Sequence, residues 1–187
     1  MNKNRCPWAK APLDIEYHDN EWGRETHNDQ MLFEYLILEG MQAGLSWSLI
    51  LKKRENFKRV FDNFDYNTCA NYTDEYLESL SQDASIIRNK LKINSVRKNA
   101  LAFIKVQEEF GSFDKYIWSF TDYRKINNKI ENYKEAPSET ELSIKISKDL
   151  KKRGFSFVGS TIIYSYMQAI GMVNDHEKGC FCYKECC

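Results

Sequence analysis

The chain has 187 residues, with 27 Lys and Arg against 27 Asp and Glu, a formal net charge of zero, and 42% apolar and 14% aromatic residues. That length suits one domain around a single core, and aromatic content on this scale with three prolines excludes a disordered chain. Neutrality excludes a uniformly basic nucleic-acid coat protein, so partners must be read from local charge.

Residues 1–10 are polar and mixed, without the charged-then-apolar pattern of a secretion signal, which predicts a cytoplasmic protein. The first helix expected from caps and spacing starts at Asn28 or Asp29, carries Leu32, Phe33, Leu36 and Ile37 on one face, and stops at Gly40. A second begins near Ser46, with Trp47, Ile50, Leu51, Phe57, Val60 and Phe61 inward. Its basic residues Lys52, Lys53, Arg54, Lys58 and Arg59 are expected to face solvent.

A short helix at 74–80 and a turn at 81–85 lead into a long helix striped by Ile93, Val96, Ala100, Phe103 and Ile104. Ser112 caps the next, with Phe113, Tyr116, Ile117 and Phe120 inward; residues 121–142 read as a polar loop with a turn at Pro137. Helices follow at 143–153 and 160–170, closed by Gly154 and Gly171, with one strand-like piece at 155–158. Residues 154–174 are uncharged over a membrane-spanning length. Ser156, Ser160, Thr161, Ser165, Gln168 and three glycines predict a buried core helix there instead. The fold class read from this pattern is all-α, a single unit over residues 1–187.

Six cysteines in an unsignalled chain point to reduced thiols or metal ligands before disulfides. Cys6 and His18 near the start, with His176 and Cys180 spaced His-x3-Cys near the end, form a complete tetrahedral zinc set that leaves no open position. The competing reading makes Cys6 a small core residue and His18 a hydrogen-bonded core histidine. Cys69 reads as core, and Cys182, Cys186 and Cys187 as exposed tail residues.

Glu39 ends an apolar run, where a carboxylate needs a partner or becomes neutral. Tyr17, Trp22, Trp8 and Trp47 lie nearby in sequence. Aromatic rings with one carboxylate suit a flat cationic ligand, while a plain aromatic core is the alternative. Charge is segregated: residues 11–41 hold eight acidic and one basic residue, and residues 84–107 hold six basic and none acidic. A helical hairpin with that second block fits a phosphate backbone gripped without sequence reading, or else a solvated face.

The runs Y-H-D-N-E-W-G at 17–23, L-E-G-M-Q-A-G-L-S-W at 38–47, L-K-K-R-E-N at 51–56, K-K-R-G-F-S-F-V-G at 151–159 and V-N-D-H-E-K-G-C at 173–180 resemble the 3-methyladenine DNA glycosylase I family in the same order. The resemblance covers nearly the whole chain. It implies a helix-hairpin-helix glycosylase fold, with the hairpin at 74–107 and zinc joining the terminal segments 6–18 and 176–180 through Cys6, His18, His176 and Cys180. It implies a base pocket of Glu39, Tyr17 and Trp47 lined by Trp8 and Trp22, with Asp14 at a wall position that is often aromatic in the family. The loop with Gln42, Gly44 and Leu45 would fill the gap left in the duplex. Arg88, Lys90 and Lys92 would meet the backbone, although Ser85 stands where the wider superfamily has a glycine-rich turn.

The implied activity is base-excision repair: hydrolysis of the N-glycosidic bond of 3-methyladenine in alkylated double-stranded DNA by a monofunctional, monomeric enzyme using water. No membrane or obligate protein partner is expected. A zinc-stabilised DNA-binding module without catalysis is the rival, discriminated by the joint presence of Glu39, Tyr17 and Trp47. A zinc deaminase lacks its His-x-Glu and Pro-Cys-x-x-Cys pair here.

Overall fold

The structure, a computed structural model, describes residues 3–187. Local capping sets most helix starts. Helix α1 (Pro12–Asn20), which apolar spacing does not announce, begins with proline in its first turn, where a missing N–H costs nothing. Asn28 caps α2 (Asp29–Gln42) by accepting from the Met31 amide at 3.0 Å, and Ser46 caps α3 (Trp47–Val60) through the Leu49 amide. Then come α4 (Tyr66–Ala70), α5 (Asp74–Leu80), α6 (Lys90–Phe110) and α7 (Phe113–Ser119), the last capped by Ser112 as expected. Helices α8 (Glu141–Lys152) and α9 (Ser160–Ala169) are followed by Gly154 at φ 95° and Gly171 at φ 75°, the left-handed conformation that favours glycine.

Helix α2 is buried nearly all round, through Leu32, Phe33, Tyr35, Leu36, Ile37, Leu38 and Met41, and packs against α3, α6, α7 and α9. It runs through Gly40 rather than stopping there. A Cβ on Gly40 would lie 3.2 Å from the Phe157 Cβ, so this glycine serves a close approach and not a helix end. Gly171 is tighter still, since its added Cβ would meet the Arg24 carbonyl carbon at 2.3 Å.

Residues 155–158 form no strand. Phe157 sits at φ 57°, and both backbone groups of Ser156 are taken by the Asn99 side chain, at 2.8 and 3.0 Å. The only extended pairing among the described residues is β1 (Ile126–Asn127) beside β2 (Val173–Asn174), in parallel. Among the described residues no helix is long and apolar enough to cross a membrane. Cys69 is buried as expected, but so are Cys182 and Cys186, and of the tail cysteines only Cys187 is exposed. Lys125 donates to the Cys186 carbonyl at 2.9 Å, drawing the tail onto the protein.

The basic face of α3 is only partly left to solvent: Lys52 and Arg59 are exposed as expected, while Arg54 is drawn inward. Arg54 lies between Glu34 at 2.7 Å and Glu21 at 2.8 Å, tying α3 to α2 and to the turn after α1. Lys53 and Asn56 donate to the Ser85 carbonyl, and Arg59 to Asp83 and the Ser85 hydroxyl. The turn between α5 and α6 is thus held from behind by side chains. No residue from 81 to 89 has positive φ, so the turn needs no glycine.

Candidate functional site

Helices α1, α2, α3 and α9 converge on one cavity of about 160 Å³, a size comparable to cavities that take a single small aromatic molecule. Trp8, Tyr17, Trp22, Glu39 and Trp47 line it, as the sequence predicts. Trp8 meets Trp22 edge-on at 5.0 Å between ring centroids, and Tyr17 is tilted 5.1 Å from Trp47. Sequence reasoning missed Tyr133, Ser165 and Gln168, which complete the wall. The available signal was the polar row Thr161, Ser165, Gln168 at helical spacing on an otherwise uncharged helix.

Buried polar atoms are normally paired. Among the described residues, four buried side-chain atoms have no partner: Trp8 Nε1, Tyr17 Oη, Glu39 Oε2 and Trp47 Nε1. All four belong to residues that line this cavity. Burial alone pushes the Glu39 carboxyl up to about 8. Burial, with the Glu39 charge second, also raises Tyr17 well above its ordinary value, keeping it a neutral phenol. Three hydrogen-bond donors and one carboxyl group with an unfilled oxygen are therefore gathered within a ring of aromatic faces.

Asp14 is buried but belongs to the frame around the cavity: its carboxylate accepts from the Ser48 hydroxyl at 2.7 Å, joining α1 to α3. Most of the acidic block is spent in the same way. Asp19 pairs with Arg5, and Asp29 accepts from the Phe113 and Asp114 amides that open α7. Of that block, Glu39 alone lines the aromatic cavity.

Behind the cavity, Cys6, His18, His176 and Cys180 are all buried, with their ligating atoms within 4.8 Å of one another. Cys180 Sγ lies 3.4 Å from His18 Nε2 and 3.6 Å from His176 Nδ1, and Cys6 Sγ lies 3.6 Å from His176 Nδ1. Tetrahedral zinc with bonds of ~2.3 Å to sulfur and ~2.0 Å to nitrogen would set sulfur and nitrogen about 3.5 Å apart. The second ring nitrogens are oriented as metal ligands require, His18 Nδ1 on Asp19 at 2.9 Å and His176 Nε2 on the Trp22 carbonyl at 3.1 Å. The four residues fit a metal. Their rings pack against the cavity wall: His176 is 4.6 Å from Trp22, and His18 is 5.4 Å from Trp8.

The loop after α2 bears the other expected residues. Gly44 at φ 76° has open space around it, Leu45 is 38% exposed, and Gln42 reaches back to the cavity. In the basic block, Arg88 is exposed and Lys90 is exposed but paired with Glu78 at 2.6 Å. Arg97 pairs with Asp74. Lys92 departs from the surface position expected of a phosphate contact: it is 5% exposed, and its ammonium sits on the Met41 and Ala43 carbonyls at 2.8 and 2.6 Å.

Residues 8–183 match the family model described as methyladenine glycosylase. The chain is 47% identical over 180 residues to DNA-3-methyladenine glycosylase 1 of Escherichia coli (strain K12), covering 96% of each. It is 41% identical over 179 residues to DNA-3-methyladenine glycosylase of Haemophilus influenzae, covering 95% of this chain and 97% of that one. A crystal structure of a 3-methyladenine DNA glycosylase I superposes with a TM-score of 0.92 at 46% identity, over 96% of this chain and all of the other. A Staphylococcus aureus 3-methyladenine DNA glycosylase I, solved for the structural basis of 3-methyladenine recognition, gives 0.92 at 30% identity, over 97% of both chains. With the family model spanning nearly the whole chain and these relatives matched end to end, the chain belongs to the methyladenine glycosylase family.

Proposed function

We propose that this protein hydrolyses the N-glycosidic bond of 3-methyladenine in alkylated double-stranded DNA. The observation that carries the reading is the gathering of the four unpartnered buried polar atoms in one aromatic cavity. A ligand with a planar ring and polar edges would satisfy them, and a base in a duplex reaches such a cavity only by leaving the stack.

Alkylation at N3 gives the attached base a formal positive charge. Trp47, Tyr17, Trp8 and Trp22 offer ring faces and edges to it, favouring a cation by the same quadrupole that favours stacking. Glu39, raised to about 8, is mostly protonated near neutrality, and an arriving cation lowers it again and favours the carboxylate. Unmodified adenine has no charge with which to drive that ionisation. The C1′–N9 bond breaks with both electrons passing to the base, which cancels its charge. Water forms the new bond at C1′ and releases a proton to solvent. The leaving group needs no protonation, so recognition and placement supply the selectivity, without a covalent enzyme intermediate.

Gln42, Gly44 and Leu45 would occupy the gap left by the extruded base. Arg88 and Lys90, with the first amides of α6, which have no partner within the helix, would hold backbone phosphate. Cys6, His18, His176 and Cys180 would bind one structural zinc, closed to substrate because all four positions are filled by protein. The reading is of a monomeric cytoplasmic enzyme.

The test is release of free 3-methyladenine from alkylated duplex DNA by wild type, Glu39→Gln and Trp47→Ala. Release by wild type that falls at least tenfold in both variants is expected. A wild type that binds duplex but frees no base would leave only the binding module.

A further inference from the structure

The carbonyls at the end of α2 are accounted for alternately. Those of Gly40 and Gln42 accept from the Ala43 and Leu45 amides, while those of Met41 and Ala43 accept from the Lys92 ammonium. Lys92 stands in the first turn of α6, two residues after Lys90 and four after Arg88, so it joins the hairpin to the base-side loop through a side chain. No carboxylate among the described residues lies within ion-pair distance of it. Its hydrogen-bond partners are the two carbonyls, at the end of a helix whose dipole favours a cation. Met41 and Ala43 flank Gln42, which lines both the aromatic cavity and the adjoining groove floored by Thr161, Ile162 and Ser165; Glu39 lines both as well. A Cβ on Gly44 would meet nothing within 4 Å, so no packing crowds the loop at its tip.

We propose that Lys92 is a positioning residue that ties the hairpin's hold on the duplex to the placement of the 42–45 loop, and through it of Gln42 beside Glu39. This rests on the glycosylase reading above. A hairpin seated on phosphate then fixes the loop at the height where the extruded base leaves its gap. The substrate whose turnover depends on Lys92 is a base within a duplex; a free base needs no loop to replace it.

The experiment compares wild type, Lys92→Met, Lys92→Arg and Arg88→Ala. It measures excision of 3-methyladenine from alkylated duplex, salt dependence of duplex binding, tryptophan quenching by free 3-methyladenine, and amide hydrogen exchange. Lys92→Met should lower kcat at least tenfold, with KM and the salt slope near wild type and free-base affinity within about twofold. Exchange should rise at residues 43–45, and Lys92→Arg, which keeps the cation, should recover part of kcat. Arg88→Ala should instead raise KM and flatten the salt slope. If Lys92→Met behaves like Arg88→Ala, Lys92 is a phosphate contact and the proposal falls. It falls equally if kcat is unchanged, or if free-base affinity drops in parallel with kcat. Should Lys92→Met not fold, Lys92→Arg exchanging like wild type at 43–45 while losing kcat would also overturn it. A wild type that excises nothing condemns the glycosylase reading instead, whatever the variants do.

Discussion

Replacing Glu39 by Gln should stabilise the folded protein increasingly as pH rises. Burial raises the folded carboxyl from 4.5 to about 8, so between those values the native state holds a proton that the unfolded chain has lost. Stability falls with pH wherever the native state binds more protons. The cost of Glu39 is therefore small near its unfolded value, grows through neutrality and is complete once pH passes the folded value. At about 1.4 kcal/mol for each unit of separation, the interval costs on the order of 4 kcal/mol between about pH 5 and about pH 9. All other titrating groups are common to wild type and variant, so the difference between their unfolding free energies isolates residue 39. Urea unfolding followed by tryptophan fluorescence at matched slopes measures it. Glu39→Gln should gain on wild type steadily over that range while losing excision. A gap independent of pH, or wild type gaining on the variant as pH rises, would mean that the carboxyl is solvated or paired and that the cavity argument is wrong.

Stripping metal with a chelator should lower thermal stability and weaken quenching by free 3-methyladenine, because His18 and His176 pack against Trp8 and Trp22; re-addition of zinc should restore both, and a chelated protein with unchanged melting would contradict the metal reading. Gly171→Ala should lose about 3 kcal/mol, from a left-handed backbone and a backbone clash that no side-chain rotation relieves, as read by denaturant unfolding. Arg88→Glu should weaken duplex binding and reduce the steepness of its salt dependence by about one released ion, measured by fluorescence anisotropy across a salt series.

Helix starts were legible at Asn28, Ser46 and Ser112, whereas the caps Asp65 of α4 and Thr140 of α8 went unread, because each lies in a polar stretch with no apolar run long enough to mark a helix behind it. Helix α1 was not legible either, because its inward residues Asp14, Tyr17 and His18 face a polar frame, a cavity and the buried Cys and His cluster, leaving no apolar stripe to read. Gly40 misled for a related reason: a close approach to Phe157 and a helix stop leave the same letter in the sequence. Charge blocks were the least reliable guide. Their sign survives, but Arg54 is bound to Glu21 and Glu34, Arg97 to Asp74 and Asp19 to Arg5, and linear sequence does not show which charges find partners. Tyr133 lies in a polar segment without periodicity, so only the fold could bring it to Trp22, at 6.3 Å.

The cavity takes its walls from Trp8 at one extreme and Gln168 at the other, and the cluster behind it joins Cys6 to Cys180. During translation, then, this cavity is complete only after the last helix has left the ribosome, and the Cys and His cluster behind it only after Cys180 has followed. A chain halted earlier owns most of the tryptophans and all of the basic hairpin, yet has no chamber in which to hold a base. Premature termination should therefore yield inert fragments rather than a partial enzyme that occupies lesions without clearing them.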